Sequence, residues 1–209
     1  VADKTPHVGE LTPILTELKL GFQYVLRTPI ILMLLMCNFA MVFFSLTYFM
    51  LLPGFAKDVL GAGPDDLGLM ISISGIGSLF GSLLVASMPN RNRARTLLAG
   101  ALVLGIALLA FAWSTNYWLS VFFLTFVGLG QAARMSLSNV LIQSYVEDEF
   151  RGRVMSIYML EMSLLSVAIY PISVMADLIG PQITVGISAV CLIVLVLGLF
   201  TYPTYRNLD

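Results

Sequence analysis

The sequence predicts an all-α membrane protein with six transmembrane helices, and three observations carry that expectation. The 209 residues are 58% hydrophobic and only 11% charged, with a mean hydropathy of +0.92. A soluble domain carries about 25% charged residues. Charge is also confined to short stretches, with none at 28–56, 67–90, 96–133, 135–146 or 178–205. A spanning helix needs about 20 apolar residues. Segments 30–52, 67–88, 95–113, 117–142, 154–176 and 182–202 supply them. Inside a bilayer no water satisfies the backbone, so each segment must close its own hydrogen bonds as a helix. The alternation that a membrane barrel requires is absent.

The elements follow in order. ELTPILTELKLGFQYVLR places Leu11, Ile14, Leu15, Leu18, Phe22, Val25 and Leu26 at helical spacing with charge opposite. This predicts an amphipathic helix on the membrane surface. PGFAKDVLGAGPDDLG is expected to separate spans one and two, PNRNRAR two and three, and STNYW three and four. EDEFRGR and DLIGPQ separate the remaining pairs. Pro64 and Pro181 stand where helices begin, which suits a residue without an N–H. Asp65 and Asp66 then bring negative charge to a positive helix end.

Lys4, Lys19, Arg27, Arg91, Arg93, Arg95, Arg151, Arg153 and Arg206 fall on one side of the membrane, and Lys57 alone on the other. That asymmetry predicts cytoplasmic N- and C-termini. The expected organisation is a cytoplasmic linker at 1–28, a six-helix bundle at 29–203 and a cytoplasmic tail at 204–209. The opening VADKTPHVGEL has neither an initiator Met nor a signal peptide and is expected to continue a longer chain. DDLGLMIS at 65–72 and DEFRGRVMS at 148–156 lie in opposite orientation, as in a 3+3 inverted repeat.

Several residues invite a role beyond packing. In SISGIGSLFGS, Gly77 and Gly81 form one small-residue row and Ser74, Ser78 and Ser82 another. Such rows let helices approach closely, either as plain bundle packing or as a contact that slides. Glu147, Asp148, Glu149, Arg151 and Arg153 form a dense charge cluster. It either sets topology or acts as a latch of weak ion pairs. Arg134 and Glu161 lie within spans four and five. Glu161 is eight residues past Arg153, about 12 Å at about 1.5 Å per residue, and Arg134 lies at a comparable depth.

Inserting either charge alone costs at least about 2.5 kcal/mol, which a direct Arg134–Glu161 pair would partly offset. Burial favours the neutral carboxyl and a nearby cation the charged one, so a Glu held between them can take up and release a proton. A structural pair, or an arginine reaching back to the surface, is the alternative. Gln131, Ser138, Asn139 and Gln143 add a polar stripe to span four, and Asn38 and Tyr48 add polar groups to span one. Cys37, Cys191 and His7 show no ligand spacing, so neither a metal nor a disulfide framework is expected. No phosphate-binding loop or nucleophile–base pair is present and no basic tract suggests nucleic acid, so no enzyme and no cofactor is expected.

Residues ELKLGFQYVLRTP, LLPGFAKDVLGAGPDDLGLMISISGIGSLFGSLL and NVLIQSYVEDEFRGRVMSIY together resemble the C-terminal half of the major facilitator superfamily. The branch is that of bacterial drug:proton antiporters, which includes macrolide-efflux and enterobactin-exporter proteins. The most specific part runs from Gln143 to Tyr158. The resemblance implies half of a twelve-helix transporter of the bacterial inner membrane, whose partners are the bilayer, a small molecule, protons and an N-terminal six-helix half. It also implies that Asp148, Glu149, Arg151, Gly152 and Arg153, with Arg91, Arg93 and Arg95, serve conformational gating. The fifth span departs from the family pattern in being poor in glycine with a late Pro171, and Arg134 and Glu161 stand where apolar or small residues are usual.

The function expected is outward movement of amphiphilic molecules, drug or siderophore, by proton-coupled alternating access. Glu161 and Arg134 are the coupling candidates, and Asn38, Tyr48, Gln131, Ser138 and Asn139 line the path. The alternative is a stand-alone six-helix scaffold without transport.

Overall fold

The computed structural model describes residues 11–88 and 92–201. The expected tails at 1–10 and 204–209, and Arg91, lie outside the described residues. All regular structure among the described residues is helical: α1 Leu11–Arg27, α2 Pro29–Asp58, α3 Pro64–Ser87, α4 Arg93–Trp113, α5 Tyr117–Tyr145, α6 Arg151–Met159, α7 Glu161–Ile179 and α8 Pro181–Thr201. Of these, α2, α3, α4, α5 and α8 are long and apolar enough to cross a membrane. They match five of the six expected segments.

The expected span at 154–176 is not one continuous helix. It breaks at Leu160, between α6 and α7, where the Leu160 N–H bonds to the Ile157 carbonyl at 3.0 Å. The first divider is also shorter than expected. Helix α2 runs through Pro53 to Asp58, so PGFAKD is helical and only 59–63 forms the connection. Proline removes a single ladder bond, and the long apolar helix around it tolerates that loss.

Helix starts follow the local chemistry. Pro64 and Pro181 are the first residues of α3 and α8. The Asp66 carboxylate accepts the Gly63 N–H at 3.0 Å. Asn116 caps α5 by accepting the Leu119 N–H at 3.2 Å. Both bonds satisfy donors that a helix start leaves open.

Helix α5 is central, packed against α3 on one side and α4 on the other, while α8 lies against α4 and α2. The core is apolar side chains such as Leu35, Phe55, Leu98, Leu104, Phe111 and Leu192, all buried. The α3–α5 contact is backbone against backbone. A Cβ on Gly77 would strike the Thr125 carbonyl, and one on Gly128 the Ser74 carbonyl. Ser78 Oγ donates to the Gly128 carbonyl at 3.1 Å across the same seam. Gly77, Gly81, Ser74 and Ser78 therefore lie in a close-packed interface, whereas Ser82 is exposed and bonds to Leu79 of its own helix.

Gly128→Leu is expected to force these helices apart at a cost above about 3 kcal/mol. The check is the thermal midpoint of the detergent-solubilised protein. Gly75→Ala, where a Cβ meets nothing within 4 Å, is expected to leave the midpoint unchanged.

Candidate functional site: a buried Arg–Asn–Glu relay

Three polar side chains from three helices meet inside the bundle. Asn38 of α2, Arg134 of α5 and Glu161 at the start of α7 are 3%, 1% and 2% exposed. Arg134 donates from a terminal guanidinium nitrogen to Asn38 Oδ1 at 3.1 Å. Asn38 Nδ2 donates to Glu161 Oε2 at 2.8 Å. The expected direct Arg134–Glu161 pair is thus replaced by a relay through Asn38. The Asn38 amide offers an acceptor to the cation and a donor to the carboxylate at once, and only one orientation of it serves both.

The break at Leu160 also acts on this site. It makes Glu161 the first residue of α7, directly after Leu160, which ends α6 and starts α7 in a right-handed helical conformation. Discontinuous helices of this kind flank solute and ion sites in membrane transporters.

Sequence reasoning missed Tyr158. It is 1% exposed, and its hydroxyl has no partner among the described residues. It interacts electrostatically with both Glu161 and Arg134. The available signal was its position three residues before Glu161, a spacing that shares a face in the continuous helix the sequence predicts. The Ser138 hydroxyl, one turn past Arg134, is likewise buried without a partner among the described residues. Two such hydroxyls beside a charged relay are suited to binding internal water.

The other expected path residues divide. Gln131 joins the site, accepting from Arg134 Nε at 3.4 Å, a long and weak bond. Tyr48 and Gln131 both line a cavity of about 410 Å3 between α2, α3 and α5, in which Arg134 is the one charged lining residue. Asn139 does not join it, and instead accepts from Gln143 one turn along α5.

The gating candidates lie apart from the relay. Asp148 and Arg151 form an exposed ion pair at 2.6 Å. Arg153 turns away from the loop acids to pair with Glu17 of α1. The hydrogen bond to Glu17 holds the Arg153 guanidinium further toward its charged form. Tyr24 of α1 stacks on Phe150 with centroids 4.1 Å apart, and its hydroxyl accepts the Glu147 N–H at 3.3 Å. One ion pair and one ring stack thus clasp α1 to the 147–153 segment. Glu149, Gly152 and Arg95 are exposed, and Arg93 is half-buried at the start of α4.

The stacked rings are worth about 0.5–1.5 kcal/mol, more than an exposed ion pair gives. Tyr24→Ala is thus expected to speed tryptic cleavage at Lys19 severalfold, and Glu17→Ala to change it little.

With this geometry in place, the comparison with known families is decisive on one point: the Major Facilitator Superfamily model matches residues 34–207. The chain belongs to the major facilitator superfamily. No curated protein and no solved structure matches it. As a member of a transporter family with several spanning helices, the chain is a multi-pass membrane protein. A major facilitator protein works in a bilayer on a small molecule, and the relay is its most heavily buried charged cluster among the described residues.

Proposed function

We propose that the chain forms the C-terminal, six-span half of a secondary transporter that moves amphiphilic small molecules by proton-coupled alternating access. The observation that supports this best is the buried Arg134–Asn38–Glu161 relay, whose Arg134 lines a largely apolar cavity. An ionisable group inside a membrane is costly and marks an ion or solute pathway by default. Glu161 is the proton site. It is buried, accepts from Asn38 and is bridged through that amide to Arg134. Small changes in those neighbours during a transport cycle then load or release the proton.

In this proposal α6 and α7 together make the fifth span, the termini face the cytoplasm, and the two halves of the bundle form an inverted repeat. The clasp of α1 on 147–153 opens as the bundle moves. Inner-membrane location, outward movement, and a drug or siderophore as cargo rest on the resemblance of residues 143–158 to drug:proton antiporters.

The test is reconstitution of the native product in proteoliposomes carrying an imposed pH gradient. Collapse of the gradient on adding an amphiphile supports coupled transport. A gradient indifferent to a panel of anionic, neutral and cationic amphiphiles supports the scaffold.

A further inference from the structure

The cavity is not symmetric with respect to the relay. Arg134 is the one charged residue of its lining, with Gln131, Tyr48, Ser74 and Ser78 as neutral polar groups, while Phe49, Ile71 and Met135 supply apolar wall. Glu161 does not line it and stands behind Asn38. Of the two charged members of the relay, only the positive one borders the cavity. Gln131 Oε1 holds Arg134 Nε only at 3.4 Å and is itself part of the lining, so a better acceptor can displace it. A guanidinium has five donors, more than the two amide oxygens of Asn38 and Gln131 occupy. The volume of about 410 Å3 suits a drug-sized body.

From this arrangement we infer that the cargo is an amphiphilic organic anion, with its apolar body between α2 and α3 and its carboxylate or sulfonate on Arg134. We infer further that it binds together with a proton on Glu161. The charge balance gives the sign. Without solute, Arg134 is balanced by Glu161 through Asn38. A bound anion takes over that balance and leaves Glu161 facing no net positive charge, so a proton completes it.

The groups around Glu161 are Asn38 from α2, Arg134 from α5 and Tyr158 from α6. Cys37 lies beside Asn38 on α2, and α8, which packs on α7, carries Cys191 and no charged residue. The other cations on these elements are placed elsewhere: Lys57 is exposed, Arg151 pairs with Asp148 and Arg153 with Glu17. By reciprocity, protonation tightens anion binding as much as the anion favours protonation. This linkage sends anion and proton the same way, opposite to the exchange that the resemblance implies, and binding measurements decide between them.

The inference rests on Glu161 as the proton site, but its test contains no transport step and so can fail independently of the proposed function. The protein is placed in nanodiscs of zwitterionic lipid and titrated with naphthalene-2-sulfonate, and separately with the isosteric naphthylmethylammonium. The anion is expected to bind at least about tenfold tighter than the cation, the gain of one charge-assisted hydrogen bond. Its Kd is expected to fall as pH falls, by at most about tenfold per pH unit for one proton. Glu161→Gln is expected to bind the anion with no pH dependence.

Gly75→Leu fills the cavity at a position where a Cβ meets nothing within 4 Å. It is expected to fold normally and to lose anion binding. A cation bound more tightly, a Kd that is flat or rises as pH falls, or binding unchanged in Gly75→Leu would each overturn the inference. So would loss of sulfonate binding on adding phosphatidylglycerol, which would make a lipid the occupant.

Discussion

Glu161→Gln is expected to leave the protein folded and to abolish the response of transport to an imposed pH gradient. Glutamine has the shape of the protonated acid, and its carbonyl still accepts from Asn38 Nδ2, which now donates to Glu161 at 2.8 Å. What it cannot do is change charge. Coupling between two ligands is typically worth about 1–3 kcal/mol, or about 5–150-fold in affinity, and that factor is what the variant loses. Solute flux in proteoliposomes with and without a pH gradient reads the loss. A variant that still responds to the gradient as the parent does removes Glu161 from the mechanism.

Asn38→Leu is expected to have the largest effect on stability of any single change in the site. It removes the acceptor of Arg134 and the donor to Glu161 together, leaving two charges 1% and 2% exposed and no longer bridged. Uncompensated buried charge costs about 3–5 kcal/mol, enough to lower the thermal midpoint well beyond the change expected at a lipid-facing site. The triple variant Asn38→Leu, Arg134→Met, Glu161→Met is expected to recover most of that stability, because well-packed apolar groups replace a buried ionic set at little cost. It is also expected to transport nothing. Recovery of stability without recovery of function separates the structural role of the relay from its proton-handling role.

Much of the bundle was legible in the sequence because a bilayer imposes length and apolarity on every span. Stretches 28–56, 67–90 and 96–133 announce α2 to α5 by lacking charge, and Pro64 and Pro181 mark two helix starts to the residue. The break at Leu160 was not legible. Residues 154–168 contain no Pro or Gly to signal it, and hydropathy is blind to a discontinuity that leaves apolar side chains on both sides. The site was half legible. Arg134 and Glu161 stand out as charges among apolar residues, and depth alone brought them to one level. Asn38 was recognised as a polar path residue but not as the bridge, because which α2 face meets α5 and α7 depends on how three helices pack. Tyr158 was overlooked because its ring passes for core, and only the buried hydroxyl sets it apart. Arg153 was assigned to its neighbours in sequence, whereas Glu17 reaches it from 136 positions away.

The account centres on Glu161 as a carboxyl that exchanges a proton inside the membrane, and infrared difference spectroscopy of the reconstituted protein during a pH titration tests that most directly. The account predicts a protonated-carboxyl C=O band that grows as pH falls, is absent in Glu161→Gln, and shifts in Asn38→Asp, where the bridging donor is lost. The same carboxyl band in Glu161→Gln as in the parent would contradict it.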